Sequence, residues 1–267
     1  MSTSLIRAEV YGHERLAEGI EYTHLGVTTP RNFSIHMLDI DLSRVSIKIV
    51  TAQDQGGSAK TSVLAKKESA LAAINGGFYK SDGSSAGILK ISGILIAEQK
   101  KMPRGALGWT SDGKTVCIDY VSEDQQQRSR WEGIDNVVGG TPILIKNNEL
   151  IADYSQEKIL QSFIENRYAR TAVGILPNRH VLVVVVDDKG SLAEDGMTLP
   201  ELANFMKSLG CVDAINLCGG KSSTMCIKDQ VVTYSFGIFY LVDYLVGSQR
   251  EKEVAHALLF FPRDIHV

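Results

Sequence analysis

The sequence predicts an α+β fold: a single domain built on a mixed, mostly antiparallel twisted sheet with a few helices at its flanks. Three observations lead there. Short runs of β-branched and large apolar residues alternate with polar ones and are separated by Gly, Asn and Asp turns. Helical patterning with matching caps is confined to two stretches, near residues 61–68 and 198–209. The 267 residues are 44% hydrophobic and 22% charged, without a Pro/Ser-rich linker or an internal repeat, which suits one packed core.

The elements follow in order. Residues 1–32 match no pattern and are expected to be part of the domain or an extension of it, the domain proper running over 33–267. Residues 33–39 and 45–50 alternate as strands, joined by a hairpin across 41–44. Residues 61–68 (TSVLAKKE) read as a short helix opened by Thr61 or Ser62, before an apolar strand over 71–74 that stops at Asn75-Gly76-Gly77. Residues 87–96 give two short strands about Ser92-Gly93, and 106–118 a hairpin turning at Asp112-Gly113. The polar stretch 122–136 is a solvated loop or helix, ahead of a strand over 143–146 that turns at Asn147-Asn148. Residues 181–186 (VLVVVV) form a fully apolar strand. The helix over 198–209 has Thr198 as N-cap, Pro200 in its first turn, Glu201 at the capping-box position and Gly210 at its end. Leu199, Leu202, Phe205, Met206 and Leu209 share one face that packs on the sheet. A buried strand over 212–217 is then broken by CGGKSS.

Charge and composition exclude several functions. With 28 Lys and Arg against 31 Asp and Glu, the net charge of -3 carries no basic footprint for nucleic acid. The longest apolar runs, 181–186 and 257–261, fall far short of the roughly 20 residues that cross a bilayer, so no membrane partner is expected. The first residues have neither an apolar core nor a small-residue cleavage pattern, and a cytoplasmic location is expected. Four cysteines form no CxxC pair, six histidines lack ligand spacing, and scattered aspartates such as Asp39, Asp82 and Asp213 form no EF-hand. Reduced thiols, no metal and no cofactor are therefore expected, with a homo-oligomer left open.

The chemistry-bearing motifs sit where strands end. In Asn216-Leu217-Cys218-Gly219-Gly220-Lys221-Ser222-Ser223, paired glycines after a buried strand let backbone amides approach a ligand. Gly220-Lys221-Ser222 matches the end of a P-loop, but the first glycine of that motif would fall on Ile215, so a nucleotide triphosphatase is rejected. Asn75-Gly76-Gly77 and Gly139-Gly140-Thr141 have the same construction. Three such turns suit convergence on a polyhydroxylated or phosphorylated ligand, although each alone reads equally as a tight turn.

From Ile74 onward, about three quarters of the chain, the sequence resembles the phosphodiester glycosidase family, that of the enzyme that removes N-acetylglucosamine from N-acetylglucosamine-1-phospho-mannose. The resemblance rests on motifs in matching order. They are an NGGFF-like turn (75–79), Gly87, a GG-x-P-x-L segment (139–144), an RTA-x-G segment (170–174), a VVVD strand end (184–187) and GMTLPELA (196–203). An NLDGGGSS block (216–223) and an RE-x-x-x-A-L segment from Arg250 complete the set. Two positions depart from the pattern: Cys218 replaces its Asp, and Lys221 replaces a glycine. The resemblance implies hydrolysis of a sugar-1-phosphodiester carried by a small molecule or glycan. The candidate substrate contacts are Asn75, Gly76, Gly77, Thr141, Thr171, Asn216, Gly219, Gly220, Lys221, Ser222 and Ser223, with Asn75 and Asn216 reading equally as braces to the opposite loop and Ser222 and Ser223 as donors to phosphate or caps of the turn.

Breaking the anomeric C–O bond expels a phosphate monoester, so the site needs anion stabilisation more than a strong acid. Arg170, with a planar fork for phosphate oxygens, suits that role, and Arg167 and Tyr168 are expected near the same mouth; the alternative for Arg170 is an ion pair with a strand-end carboxylate such as Asp187. Asp187 is the candidate acid or base, or else a turn residue. Cys218 takes the aspartate's place, as an anion or nucleophile aided by Lys221, or as an inert buried thiol. A thiol hydrolase would need His180 or His256 brought to Cys218. A catalytically retired sugar-phosphate or nucleotide-like ligand-binding protein is the rival reading.

Overall fold

The computed structural model describes residues 8–28, 31–99, 102–122, 129–191, 194–233 and 251–263. Its first strands are β1 (Ala8–Ala17), β2 (Ile20–Val27), β3 (Phe33–Ile40) and β4 (Val45–Thr51), followed by helix α1 (Thr61–Lys67) and β5 (Ala72–Asn75). Next come β6 (Leu89–Ile91), β7 (Ile94–Ala97), β8 (Arg104–Trp109), β9 (Val116–Val121), β10 (Asn136–Gly140), β11 (Ile143–Lys146) and β12 (Glu149–Leu150). Helix α2 (Gln161–Glu165) leads into β13 (Arg170–Ile175), β14 (Val181–Val186), β15 (Asp188–Ser191) and β16 (Glu194–Asp195). Helix α3 (Leu199–Ser208) precedes β17 (Asp213–Asn216), β18 (Met225–Ile227), β19 (Gln230–Val231) and β20 (His256–Pro262).

These strands form three main sheets rather than the single one expected. One has eight strands in the order β1-β2-β3-β14-β13-β17-β11-β12, and two have five, β7-β6-β10-β8-β9 and β19-β18-β5-β20-β4. Every pairing around the site is antiparallel, including β13 with β14 and β17, β14 with β3, and β20 with β5. The expected hairpin across 41–44 is absent: β3 pairs with β2 and β14, while β4 pairs with β20. The turn itself is tight, with the Ser43 backbone N–H and hydroxyl both donating to Asp41 Oδ1, but it hands the chain from one sheet to another. Alternation specifies a strand and its buried face; it does not name the neighbour.

The principal core joins the inner face of the large sheet, through Leu38, Val183 and Val185, to Ile74, Leu107, Leu258 and Phe260 of the smaller ones. The outer face, through Leu182, Val184 and Val186, is covered by Leu199, Leu202 and Met206 of α3. Strand β14 is apolar throughout because both its faces are covered. The predicted capping box is formed: Glu201 N–H donates to Thr198 Oγ1 at 3.3 Å, and Thr198 N–H donates to Glu201 Oε2 at 3.0 Å. Helix α1 differs from expectation, since its N-cap is Lys60 and Thr61 is buried, while the Ser62 N–H and hydroxyl donate to Glu251 instead.

Candidate functional site

The register brings the singled-out strand ends to one edge. Arg170 at the start of β13 faces Val186 at the end of β14, which faces Ile35 near the start of β3, and Asn216 at the end of β17 faces Ala172. In the smaller sheets β5 ends at Asn75 opposite Ala257, and β10 ends at Gly140 opposite Gly105. The three Gly-Gly segments meet there. Cys218 N–H donates to the Gly76 carbonyl at 3.3 Å, Thr141 N–H to the Asn216 carbonyl at 2.8 Å, and Asn216 N–H to the Pro142 carbonyl at 3.0 Å. Glycine is needed for closeness. A methyl at Gly77 would lie 2.1 Å from the Gly139 carbonyl oxygen, and one at Gly140 would lie 2.7 Å from that of Asn216.

Asn75 is fully buried and ties three segments together. Its Nδ2 donates to the Cys218 carbonyl at 2.7 Å, while its Oδ1 accepts from Thr171 Oγ1 at 2.8 Å and from Thr224 N–H at 3.1 Å. Both ends of the Asn75 amide, and the Thr171 hydroxyl, are thus used in bracing. Asn216 is different: its Nδ2 donates to the carbonyls of Thr141 and Leu217, but its buried Oδ1 has no hydrogen-bond partner among the described residues.

Arg170 is also fully buried. Its Nε donates to the Met197 carbonyl at 2.8 Å, and one terminal nitrogen, Nη2, donates to the carbonyls of Phe163 and Asn166. The guanidinium lies over the rings of Phe163 and Tyr168, 4.8 and 5.1 Å from their centroids. Burial lowers its pKa to about 10. The other nitrogen, Nη1, has no hydrogen-bond partner among the described residues, and neither does the buried Ser223 Oγ. Buried orphan donors and acceptors are scarce in folded proteins, and a catalytic role or a bound water or ion is among their usual reasons. The turn abuts Arg170 directly, because a methyl on Gly219 would come within 3.9 Å of Arg170 Cδ, and Gly220 N–H donates to the Ala169 carbonyl at 2.7 Å.

Pleating separates two residues expected to act together. Arg170 pairs with Val186, an outer-face residue, so Asp187, one position further, turns to the inner face. There its carboxylate accepts from Ser34 Oγ at 2.7 Å and lies 3.2 Å from His36 Nε2, and His36 Nδ1 contacts Tyr22 Oη at 2.8 Å. The carboxylate is framed by β2 and β3 rather than by the arginine. Of the expected neighbours of Arg170, Tyr168 stacks beside it, whereas Arg167 pairs with Glu201.

Cys218 is half-buried, and burial raises its pKa, opposed by the Ser222 hydroxyl, the charge of Lys252 and the Gly219 N–H. The nearby cation acting on the thiol is therefore Lys252, not the expected Lys221, which is exposed on the turn. His180 contacts Asp39 at 2.7 Å. His256 packs on the Gly76-Gly77 turn, where its Nε2 accepts from Gly77 N–H at 3.0 Å and burial lowers its pKa to about 4, leaving a neutral ring that holds the turn. Among the described residues no group of three or more His, Cys, Asp or Glu side chains is arranged to hold a metal.

Sequence reasoning missed Glu157. This buried carboxylate accepts from Thr141 Oγ1 at 2.7 Å, Ile143 N–H at 2.9 Å and Gly105 N–H at 3.2 Å, joining the starts of β8 and β11. Burial raises its pKa. It ends a single 3-10 turn (Ser155–Glu157), too short for a periodicity or motif to announce it.

These features define a class: an antiparallel, multi-sheet domain whose glycine-rich strand ends meet at one edge around buried, incompletely paired polar groups. The Phosphodiester glycosidase profile matches residues 68–261, and the chain belongs to that family. It is similar to the N-acetylglucosamine-1-phosphodiester alpha-N-acetylglucosaminidase of Mus musculus, 27% identical over 170 residues that make up 60% of this chain and 32% of the mouse protein. The Homo sapiens enzyme of the same name is 26% identical over 170 residues, again 60% of this chain and 32% of the relative. The chain thus spans about a third of the length of these relatives. Among solved structures, a hypothetical protein from Synechocystis superposes with a TM-score of 0.77 at 16% identity, over 96% of this chain and 64% of that one. The catalytic domain of the zebrafish enzyme, auto-inhibited by its pro-peptide, superposes with a TM-score of 0.72 at 21% identity, over 98% of this chain and 86% of that one. These two likenesses speak for the fold.

Proposed function

We propose that the protein hydrolyses a glycosyl-1-phosphodiester with an N-acetylglucosamine-like sugar, and that Arg170 stabilises the departing phosphate. The observation carrying this reading is the buried Arg170 guanidinium, bonded to carbonyls and with Nη1 unpartnered, beside Gly219 of the glycine turn. A buried cation without a counter-ion is costly, and a phosphate would supply the missing charge. In the reaction, water attacks the anomeric carbon as its bond to the phosphate oxygen breaks. The bonding pair leaves on that oxygen, and the proton of the water passes to solvent. Asn216 Oδ1 suits a sugar hydroxyl or amide N–H, and Ser223 Oγ a phosphate oxygen. Asp187, turned toward Ser34 and His36, is given a framing role instead of proton transfer.

Arg170→Lys tests this, because it keeps the charge but loses the fork. Release of N-acetylglucosamine from its 1-phosphodiester is expected to fall at least about 100-fold, or roughly 2.7 kcal/mol of transition-state stabilisation. Unchanged turnover would reject the assignment.

The rival, a binding protein that breaks no bond, draws on Cys218, whose burial keeps it a thiol. Cys218→Asp discriminates: a site adapted to cysteine loses turnover, while a retired one gains it.

A further inference from the structure

The segment 251–253, which leads into β20, passes over the glycine turn and is pinned on three sides. Glu251 accepts from the Ser62 N–H at 2.9 Å, Glu253 Oε2 accepts from Ser58 Oγ at 2.6 Å, and the Glu253 carbonyl accepts from Tyr79 Oη at 2.8 Å. Both carboxylates flanking Lys252 are thus turned to serines. Lys252 Nζ is held 5.5 Å from the centroid of the Tyr79 ring, and Tyr79 Oη lies 3.5 Å from Ser222 Oγ. The Ser222 hydroxyl and the charge of Lys252 both oppose the rise in the pKa of the Cys218 thiol beneath. An exposed ammonium, a phenol, a buried serine hydroxyl and the half-buried thiol therefore share one small area above the 218–223 turn.

Of the cations about this turn, Lys221 is exposed on the turn itself, and Arg170 and Lys252 flank it on different sides. Arg170 lies beneath it, fully buried and committed to three carbonyls, whereas Lys252 lies on the solvent side with its donors unclaimed by any ion pair among the described residues. Lys252 is the exposed cation whose charge reaches the Cys218 thiol, with its ammonium set over the Tyr79 ring. A lysine ammonium is a compact charge with three donors that tolerates a range of phosphate orientations.

We propose that Lys252 is a ligand-binding residue that receives the phosphoryl oxygens at the solvent side of the 218–223 turn, opposite the buried Arg170. The inference rests on the phosphodiester reading and adds to it the residue that captures the anion. Lys252 acts on binding, raising the local concentration of a phosphate ester, and partial exposure makes its effect sensitive to salt.

The test uses the full chain and inorganic phosphate, followed by calorimetry at low and high salt and as a competitive inhibitor of sugar release. Lys252→Gln is expected to weaken phosphate binding about ten-fold, the loss of one charge-assisted contact. It also raises KM with kcat little changed and flattens the salt dependence. Lys252→Arg retains binding, and Lys228→Gln, a surface lysine paired with Glu14, leaves it unaltered. Lys252→Gln binding phosphate as tightly as wild type, with Lys221→Gln weakened in its place, overturns the inference and leaves the phosphodiester reading standing. A wild-type protein that neither binds phosphate nor releases sugar overturns both.

Discussion

Asn75, Gly77 and His256 form a small frame tied by the Asn75 amide and by the Gly77 N–H to His256 Nε2 bond, and each makes a prediction. Asn75→Ala strands the Thr171 hydroxyl, the Thr224 N–H and the Cys218 carbonyl, and is expected to cost about 3 kcal/mol or more in denaturant unfolding. Gly77→Ala pushes a methyl to 2.1 Å from the Gly139 carbonyl oxygen, and should cost about 3 kcal/mol, at the upper end for overpacking. His256 makes a pH prediction. Its pKa falls to about 4 in the folded chain from 6.5, so its contribution is fully present above pH 6.5 and is lost as pH falls toward 4. That amounts to about 3 kcal/mol over the window. In urea melts across pH 4 to 7, His256→Gln, which keeps an acceptor for Gly77 and does not titrate, is expected to remove most of this slope; a wild-type slope retained in the variant contradicts the assignment. Much of this frame is legible in the sequence, since a polar residue followed by two glycines at a strand end demands close backbone approach. What escapes is direction. The same Asn75-Gly76-Gly77 text suits a sugar contact or a brace, and only the positions of Thr171, Thr224 and Cys218 decide between them.

Among elements, α3 was the most readable, because capping is local: Thr198, Pro200 and Glu201 carry its start within four residues. Its start matters to the site, since Met197, just before the cap, supplies the carbonyl that holds Arg170 Nε. Thr198→Ala is expected to lower stability by about 1 kcal/mol, while Thr198→Ser is nearly neutral. Pairing between distant strands is a different kind of information. Residues 33–39 and 45–50 both read as strands, yet the intervening turn joins two sheets, because each strand finds a better-matched partner far along the chain. The same limit hid the opposite facing of Arg170 and Asp187, which depends on the register of β13 against β14 and not on either motif. Glu157 was hidden for a related reason: its three donors come from Thr141, Ile143 and Gly105, none of them its neighbour in sequence.

For the whole molecule, three antiparallel sheets present glycine-rich strand ends at one edge, and their core residues hold that edge in place from behind. Family membership and fold follow from the profile match over residues 68–261 and from the structural superpositions. The ligand does not, because Cys218 and Lys221 alter the charge of the turn that would hold it. The most direct measurement is a crystal structure of the protein soaked with N-acetylglucosamine-1-phosphate. The account predicts sugar phosphate among the 76–77, 139–140 and 219–220 glycine pairs, its phosphate between Arg170 and Lys252. Density for the ligand elsewhere on the molecule, with that edge unchanged, would contradict it.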